Sequence, residues 1–186
     1  MDAMDELDQI IGLNKYDKHQ EMKQKILYGV IIASYKVSHD YLAQLRTNMH
    51  RLLGVPENYT QRAGDHYTEA ITFLSKYLQA TTQTFDIQPI VRDVKDQLTQ
   101  LLPEFPMLCR LPGNSSYIEQ CCYITWAMVN QIPPMELEHA QEKFSPLHHT
   151  RFHTSSDRHS KVKMYIWPTL VDSLTNDVLY RGVVWT

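Results

Sequence analysis

Between Asp17 and Leu52 an apolar residue returns every three or four positions, at Met22, Ile26, Val30, Ala33, Val37, Tyr41, Leu45, Met49 and Leu52. That is the spacing of one helical face. A stripe of this length commits the chain to a long amphipathic helix whose buried side other elements must cover. Asp17 with Gln20 three residues on has the form of a capping box at its start. Gly54 followed by Pro56 reads as its stop, and the length leaves room for a kink near Ser38. The covering elements follow. A second helix is expected from Asp65, with Ile71, Leu74, Tyr77 and Leu78 facing inward. A third is expected from Asp86 to Leu102 with the stripe Ile90, Val94, Leu98 and Leu101, Pro89 being tolerated in the first turn. Pro103, Pro106, Pro112 and Gly113 mark a loop. Ser116 and Glu119 then form a capping box before Ile118, Cys121, Cys122, Thr125, Trp126 and Val129, and Pro133-Pro134 ends that helix.

The character changes beyond this point. Residues 138–163 are polar, His-rich and weakly periodic, and predict a long mobile loop. Apolar residues return around Tyr165-Ile166-Trp167-Pro168. Asn176-Asp177 suits a turn, and Val178 to Trp185 is β-branched and aromatic, as a short strand would be. The fold class expected is therefore mainly α: a bundle of about four to five helices with a minor C-terminal β segment. It forms a single domain over 1–186, with a short N-terminal lead over 1–16.

At 186 residues, 43% hydrophobic and 21% charged, the chain can bury a core without disulfides or metal staples. A net charge of −3 argues against a dedicated nucleic-acid binder. Three cysteines, Cys109, Cys121 and Cys122, make a poor disulfide framework and suit a reducing compartment. The acidic start, Met1 to Glu6, is unlike a signal or transit peptide, and no apolar run approaches the length of a membrane span. The sequons at Asn58 and Asn114 are read as coincidental. A cytoplasmic location follows as an expectation.

No chemistry declares itself. His148, His149, His153 and His159 cluster, and His149 with His153 has the i, i+4 spacing of two ligands on a helix, but no companion metal motif accompanies them. Cys121 and Cys122 fall mid-helix, where thiols are packing groups. The six glycines are scattered singly, and no nucleophile elbow appears. No metal, no cofactor and no catalytic residue is expected, so the chain is read as a non-enzyme. The strongest charge feature is local. Lys143, Arg151, Arg158, Lys161 and Lys163 share one stretch with a single acid, Asp157, interleaved with Phe144, Leu147, Phe152 and Tyr165. Such a pattern suits an anionic lipid surface, an acidic protein partner, or a solvated loop.

Two ordered segments carry a family resemblance. Cys122, Ile124, Thr125, Trp126, Met128, Gln131, Pro133 and Pro134, followed by Tyr165, Ile166, Trp167, Pro168, Leu170 and Gly182, resemble the C-terminal domain of the mitochondria-eating proteins. No coiled-coil pattern of the kind that precedes this domain in the family occurs here. The structural reading of these motif residues is that Trp126 is core. Trp167 and Pro168 form a rigid buried corner, and Gly182 serves a bulge or a close backbone approach. The resemblance implies a role in mitochondrial quality control and mitophagy, association with the mitochondrial outer membrane, and a link to the anionic lipid cardiolipin. On that reading Lys143, Arg151, Arg158, Lys161 and Lys163 pair with phosphate while Phe144 or Phe152 inserts. The alternative is a protein–protein adaptor for an outer-membrane mitophagy receptor, or a self-associating domain. Its groove would lie between the long helix and the tryptophan-bearing helix.

Overall fold

The structure, a computed structural model of the chain, describes residues 3–11, 16–54, 64–105 and 107–186. Pro56, Asn58 and Pro106 lie outside the described residues. Five helices are followed by six short strands: α1 (Ala3–Ile11), α2 (Tyr16–Leu52), α3 (Gly64–Ala80), α4 (Gln88–Leu101), α5 (Pro112–Val129), β1 (Met135–Glu138), β2 (His149–Arg151), β3 (Met164–Trp167), β4 (Thr169–Asp172), β5 (Val178–Tyr180) and β6 (Gly182–Trp185). The mainly helical class with a C-terminal β part holds. The N-terminal lead contains a helix of its own, and Asp17 lies inside α2 rather than at its cap.

The spine is α2, 37 residues and therefore about 55 Å long. It continues through Ser38 without a break. Its middle turns bury Ile26, Val30, Ala33 and Val37 as the stripe requires, whereas Met22 and Leu52 stand in solvent. Gly54, at φ 63°, takes the left-handed conformation that ends the helix, and its N–H bonds the Arg51 carbonyl.

α5 lies against α2 and runs parallel to it. Tyr117 meets Leu27, Cys122 meets Ser34, and Thr125 meets Ser38, in ascending order along both helices. Small side chains at Ala33, Ser34 and Ser38 allow the close approach. α4 is antiparallel to α5, joined by Gln88–Glu119 and Lys95–Ser115 hydrogen bonds. Ile90, Val91, Val94 and Leu98 of α4 complete the core with Ile118, Cys121, Cys122 and Trp126 of α5. Leu101 and Tyr77, expected inside, are exposed.

α5 starts four residues before its expected capping box. Leu111 is extended (φ −71°, ψ 138°) and Pro112 opens the first turn. The free N–H groups of Gly113 and Asn114 donate to the Glu6 carboxylate at 2.7 and 2.8 Å. A cap from α1 therefore replaces the local one, and Glu119 turns instead to Gln88.

The β part is a bent hairpin. β3 and β4 form one extended run broken at Pro168, and β5 and β6 form another broken at Arg181. The outer half pairs β4 with β5, and β1 adds beside β4. The inner half pairs β3 with β6, and β2 adds parallel to β6. The hairpin turn is held by the Asp172 carboxylate, which accepts from the Leu174 and Thr175 N–H groups. These bonds keep its pKa below the ordinary value. Asn176, at φ 59°, completes the turn expected there.

Pro168 is buried at the corner as expected, but Trp167 beside it is exposed. The close contact is made by Gly182, where the two halves cross. Its N–H donates to the His148 carbonyl and the Thr169 hydroxyl. A Cβ placed there would lie 2.6 Å from Thr169 Oγ1, 2.8 Å from Thr169 N and 2.9 Å from the Trp167 carbonyl oxygen. Gly182→Ala is therefore expected to cost about 1–3 kcal/mol by forcing backbone apart. The measurement is the urea midpoint at constant m-value. A midpoint unchanged from the parent would contradict the close packing at this crossing.

Candidate functional site

The segment expected to be a mobile loop is ordered. It is tied into the hairpin at both ends. The Phe152 N–H donates to the Val184 carbonyl, and the Lys163 N–H to the Trp185 carbonyl. Within it, residues 142–144 and 160–162 pair as a two-stranded ribbon. Phe144 N–H donates to Ser160 O at 2.7 Å, and Val162 N–H to Glu142 O at 2.8 Å. Lys143 and Lys161 face each other across this antiparallel bridge. Both are exposed, and neither is in an ion pair among the described residues. Arg158, at the turn that joins the ribbon to β2, is exposed as well.

The other candidates are used internally. The Arg151 guanidinium lies 3.8 Å over the Phe144 ring, donates to the His159 carbonyl at 3.2 Å, and approaches Asp157 at 3.9 Å. Lys163 Nζ donates to the Thr186 carbonyl at 3.2 Å. Phe144 is half-buried under Arg151. Phe152 packs on His153, with ring centroids 4.1 Å apart, and lines a cleft of about 410 Å³ with Trp185, Gln20 and Gln24. The freely exposed apolar group of the segment is Leu147, 78% exposed in the turn before β2. It shares a groove of about 560 Å³ with Leu179, Tyr180 and Arg181 of the hairpin's outer half. The sequence places Leu147 beside the basic stretch but does not join it to Leu179, Tyr180 and Arg181, because the β-branched pattern of the tail says nothing about which edge stays uncovered.

The histidines divide by environment. His149 and His153 lie along and just past β2, so their spacing does not bring them to one helical face. His149 is almost fully buried. Its Nδ1 accepts from the Ser145 N–H at 3.1 Å, which puts the ring proton on Nε2, 3.0 Å from the Tyr165 hydroxyl. Tyr165 in turn is bonded to the backbone of Gln141. His148 reaches Glu138 at 2.8 Å. Burial pushes the His149 imidazole below its ordinary 6.5, His148 adds to that, and Glu138 opposes it. Tyr165 stacks on Tyr28 of α2 at 6.4 Å, so this polar chain also joins the β part to the helices. The motif tryptophan, Trp126, is fully buried. Pro133, after a cis peptide bond, and Pro134 are exposed, and the Pro134 carbonyl continues the β1–β4 ladder to Ser173. Burial lifts the thiols of Cys121 and Cys122 to about 11. Both are packing groups at the α2–α5 seam. At that seam the Cys122 thiol meets the Ser34 hydroxyl at 3.8 Å.

The sequence over residues 1–186 matches the family model of the mitochondria-eating protein. The chain belongs to that family. It is 22% identical over 189 residues to the mitochondria-eating protein of Gallus gallus, covering 94% of this chain and 36% of the relative. It is 24% identical over 182 residues to that of Danio rerio, covering 93% and 36%. The chain thus spans about a third of the length of these curated relatives. No solved structure matches. Of the motif residues read from the sequence, Trp126, Pro168 and Gly182 are buried, whereas Pro133, Pro134 and Trp167 are exposed. Among the described residues no helix is long and apolar enough to cross a membrane.

The buried imidazole sets a pH dependence. The folded state holds His149 neutral, while the unfolded chain takes up a proton near 6.5. Its contribution to stability is complete above that value and is lost as pH falls through the lower folded value. The urea midpoint is expected to drop between pH 7.5 and pH 5, and His149→Gln should flatten part of that drop. Identical pH profiles for parent and variant would count against a neutral buried His149.

Proposed function

We propose that this domain is a non-enzymatic binding module of mitochondrial quality control that meets the cytoplasmic side of the mitochondrial outer membrane and holds the phosphates of cardiolipin. Family membership supports the mitochondrial setting. The observation that carries the lipid reading is the opposed pair Lys143 and Lys161. Like charges placed directly across a ribbon repel. An anion seated between them removes that repulsion, and Arg158 adds a third cation. Each basic group near an anionic surface contributes about 1 kcal/mol. Three give about 3 kcal/mol, and burying the Leu147 side chain in the acyl boundary adds about 2 kcal/mol. The sum corresponds to weak, sub-millimolar attachment of a single copy. Leu147 takes the inserting role in place of Phe144 and Phe152, which are packed inward.

Arg151 and Lys163 are left out of the test because their charges support the segment's own structure. The triple variant Lys143→Glu, Arg158→Glu, Lys161→Glu is expected to melt like the parent and to lose co-sedimentation with cardiolipin vesicles. The parent should bind those vesicles better than phosphatidylserine vesicles of matched charge, and less well as salt rises. Undiminished binding by the variant would remove the ribbon from the mechanism. Equal binding to both lipids would remove cardiolipin.

A second reading, an adaptor surface for an outer-membrane mitophagy receptor, is favoured by α3. Phe73 and Tyr77, 72% and 56% exposed, lie one turn apart on its outer side. Retained receptor capture in a Phe73→Asp, Tyr77→Asp variant would dismiss this face.

A further inference from the structure

α1 is held by three consecutive side chains. The Glu6 carboxylate, 2% exposed, accepts from the Gly113 and Asn114 N–H groups at the start of α5. Leu7 is fully buried against Ile26 and Leu108, in a cluster separate from the main core. Asp8 pairs at 2.5 Å with Lys23, a lysine whose side chain is only 3% exposed. A nine-residue helix does not persist in water alone, so α1 owes its order to this cleft. The cleft owes little to α1. Its walls are the first turn of the 18-residue α5, a turn of α2, and Leu108.

Emptied of α1, the cleft presents two free N–H groups at the positive end of a helix dipole, a sunken ammonium and an apolar floor. The Asn114 side-chain nitrogen, buried and without a partner among the described residues, stands at the same turn. Each feature answers one position of an acid–apolar–acid helical turn. We propose that this cleft is a receptor for the Glu-Leu-Asp turn, filled in cis by α1, and that the α1 of a second copy fills it in trans. A second copy is the fitting occupant because it brings the same three side chains. Exchange makes and breaks identical contacts, leaving only the cost of association. The main contacts of α1 are with α5 and α2, the walls of the cleft itself.

The full chain carrying Glu6→Ala and Leu7→Ala keeps the cleft and disables its own α1. A labelled peptide of Ala3 to Ile11 should bind this variant, and bind the unaltered chain at least about tenfold more weakly because α1 competes there. Glu6→Gln in the peptide should cost at least about tenfold, since it removes the charge and turns one of the two accepting oxygens into a donor facing an N–H. Adding Lys23→Glu to the receptor chain should abolish binding. For the exchange, the Glu6→Ala, Leu7→Ala chain is mixed with a Lys23→Glu chain, which has an intact α1 and a spoiled cleft. Sedimentation velocity should show a heterodimer that neither chain forms as a homodimer. Should the double variant lose its helical signal, Leu7→Ala alone serves as the receptor. No peptide binding by a folded receptor overturns the cleft. Peptide binding with no heterodimer at any attainable concentration overturns the exchange.

Discussion

The contact on which the rest of the structure depends is the burial of Trp126. Its ring stacks on Phe85 at 4.3 Å, from the connection between α3 and α4, and meets the edge of Tyr41 of α2 at 5.9 Å. One side chain thereby ties α2 and the α3–α4 connection to α5. The indole Nε1 is buried and has no hydrogen-bond partner among the described residues. An unmet donor costs about 1–3 kcal/mol. Burying a tryptophan's 150–250 Å² gives about 4–6 kcal/mol at 25 cal/mol/Å². The apolar term wins, and the site stays tryptophan-shaped at the expense of one N–H.

Because α5 is fixed there, both of its ends become organising points. Its first turn is left open by Pro112 and is closed by the carboxylate of α1. Its last turn is capped through Asn130, whose side-chain nitrogen donates to the Trp126 carbonyl. The chain then turns back so that β1 and the bent hairpin lie along α2. Leu137 of β1 reaches the helical core, and Tyr165 of β3 meets Tyr28 of α2. α2 is thus shared. One side takes α4 and α5, and another takes the β part.

What could be read from the sequence followed from locality. The stripes of α2, α4 and α5 repeat every turn, and a helix buries what its period aligns. The motif glycine at 182 announced a close approach because no other residue permits one. The start of α5 was misread because its cap comes from Glu6, 107 residues away from Gly113, while a local pair at Ser116 and Glu119 imitated the signal. The order of residues 138–163 was missed for the same reason. Its bonds run to Val184 and Trp185, and three-residue strands are too short to show a period. Of the basic residues, sequence alone could not separate Lys143, Arg158 and Lys161, which face solvent unpaired among the described residues, from half-buried Arg151 on Phe144 and from Lys163, exposed but bonded to the Thr186 carbonyl.

That separation follows from how the segment is ordered. It contains too few apolar residues to form a core of its own, so backbone pairing with the hairpin and the chain His149–Tyr165–Gln141 hold it in place. Backbone pairing fixes the main chain and leaves alternate side chains pointing outward, whatever their charge. Lys143 and Lys161 are therefore opposed by the register of the ribbon. A like-charged pair at such positions costs some tenths of a kcal/mol, too little to break the two hydrogen bonds beside it. The ribbon carries this repulsion as a standing local conflict within a fold that is otherwise consistent, and conflicts of that kind concentrate where a chain meets something outside itself. The preorganisation also matters for strength. Cations on a fixed ribbon lose less freedom on meeting an anion than cations on a mobile loop, so an ordered segment needs fewer charges to hold the same partner.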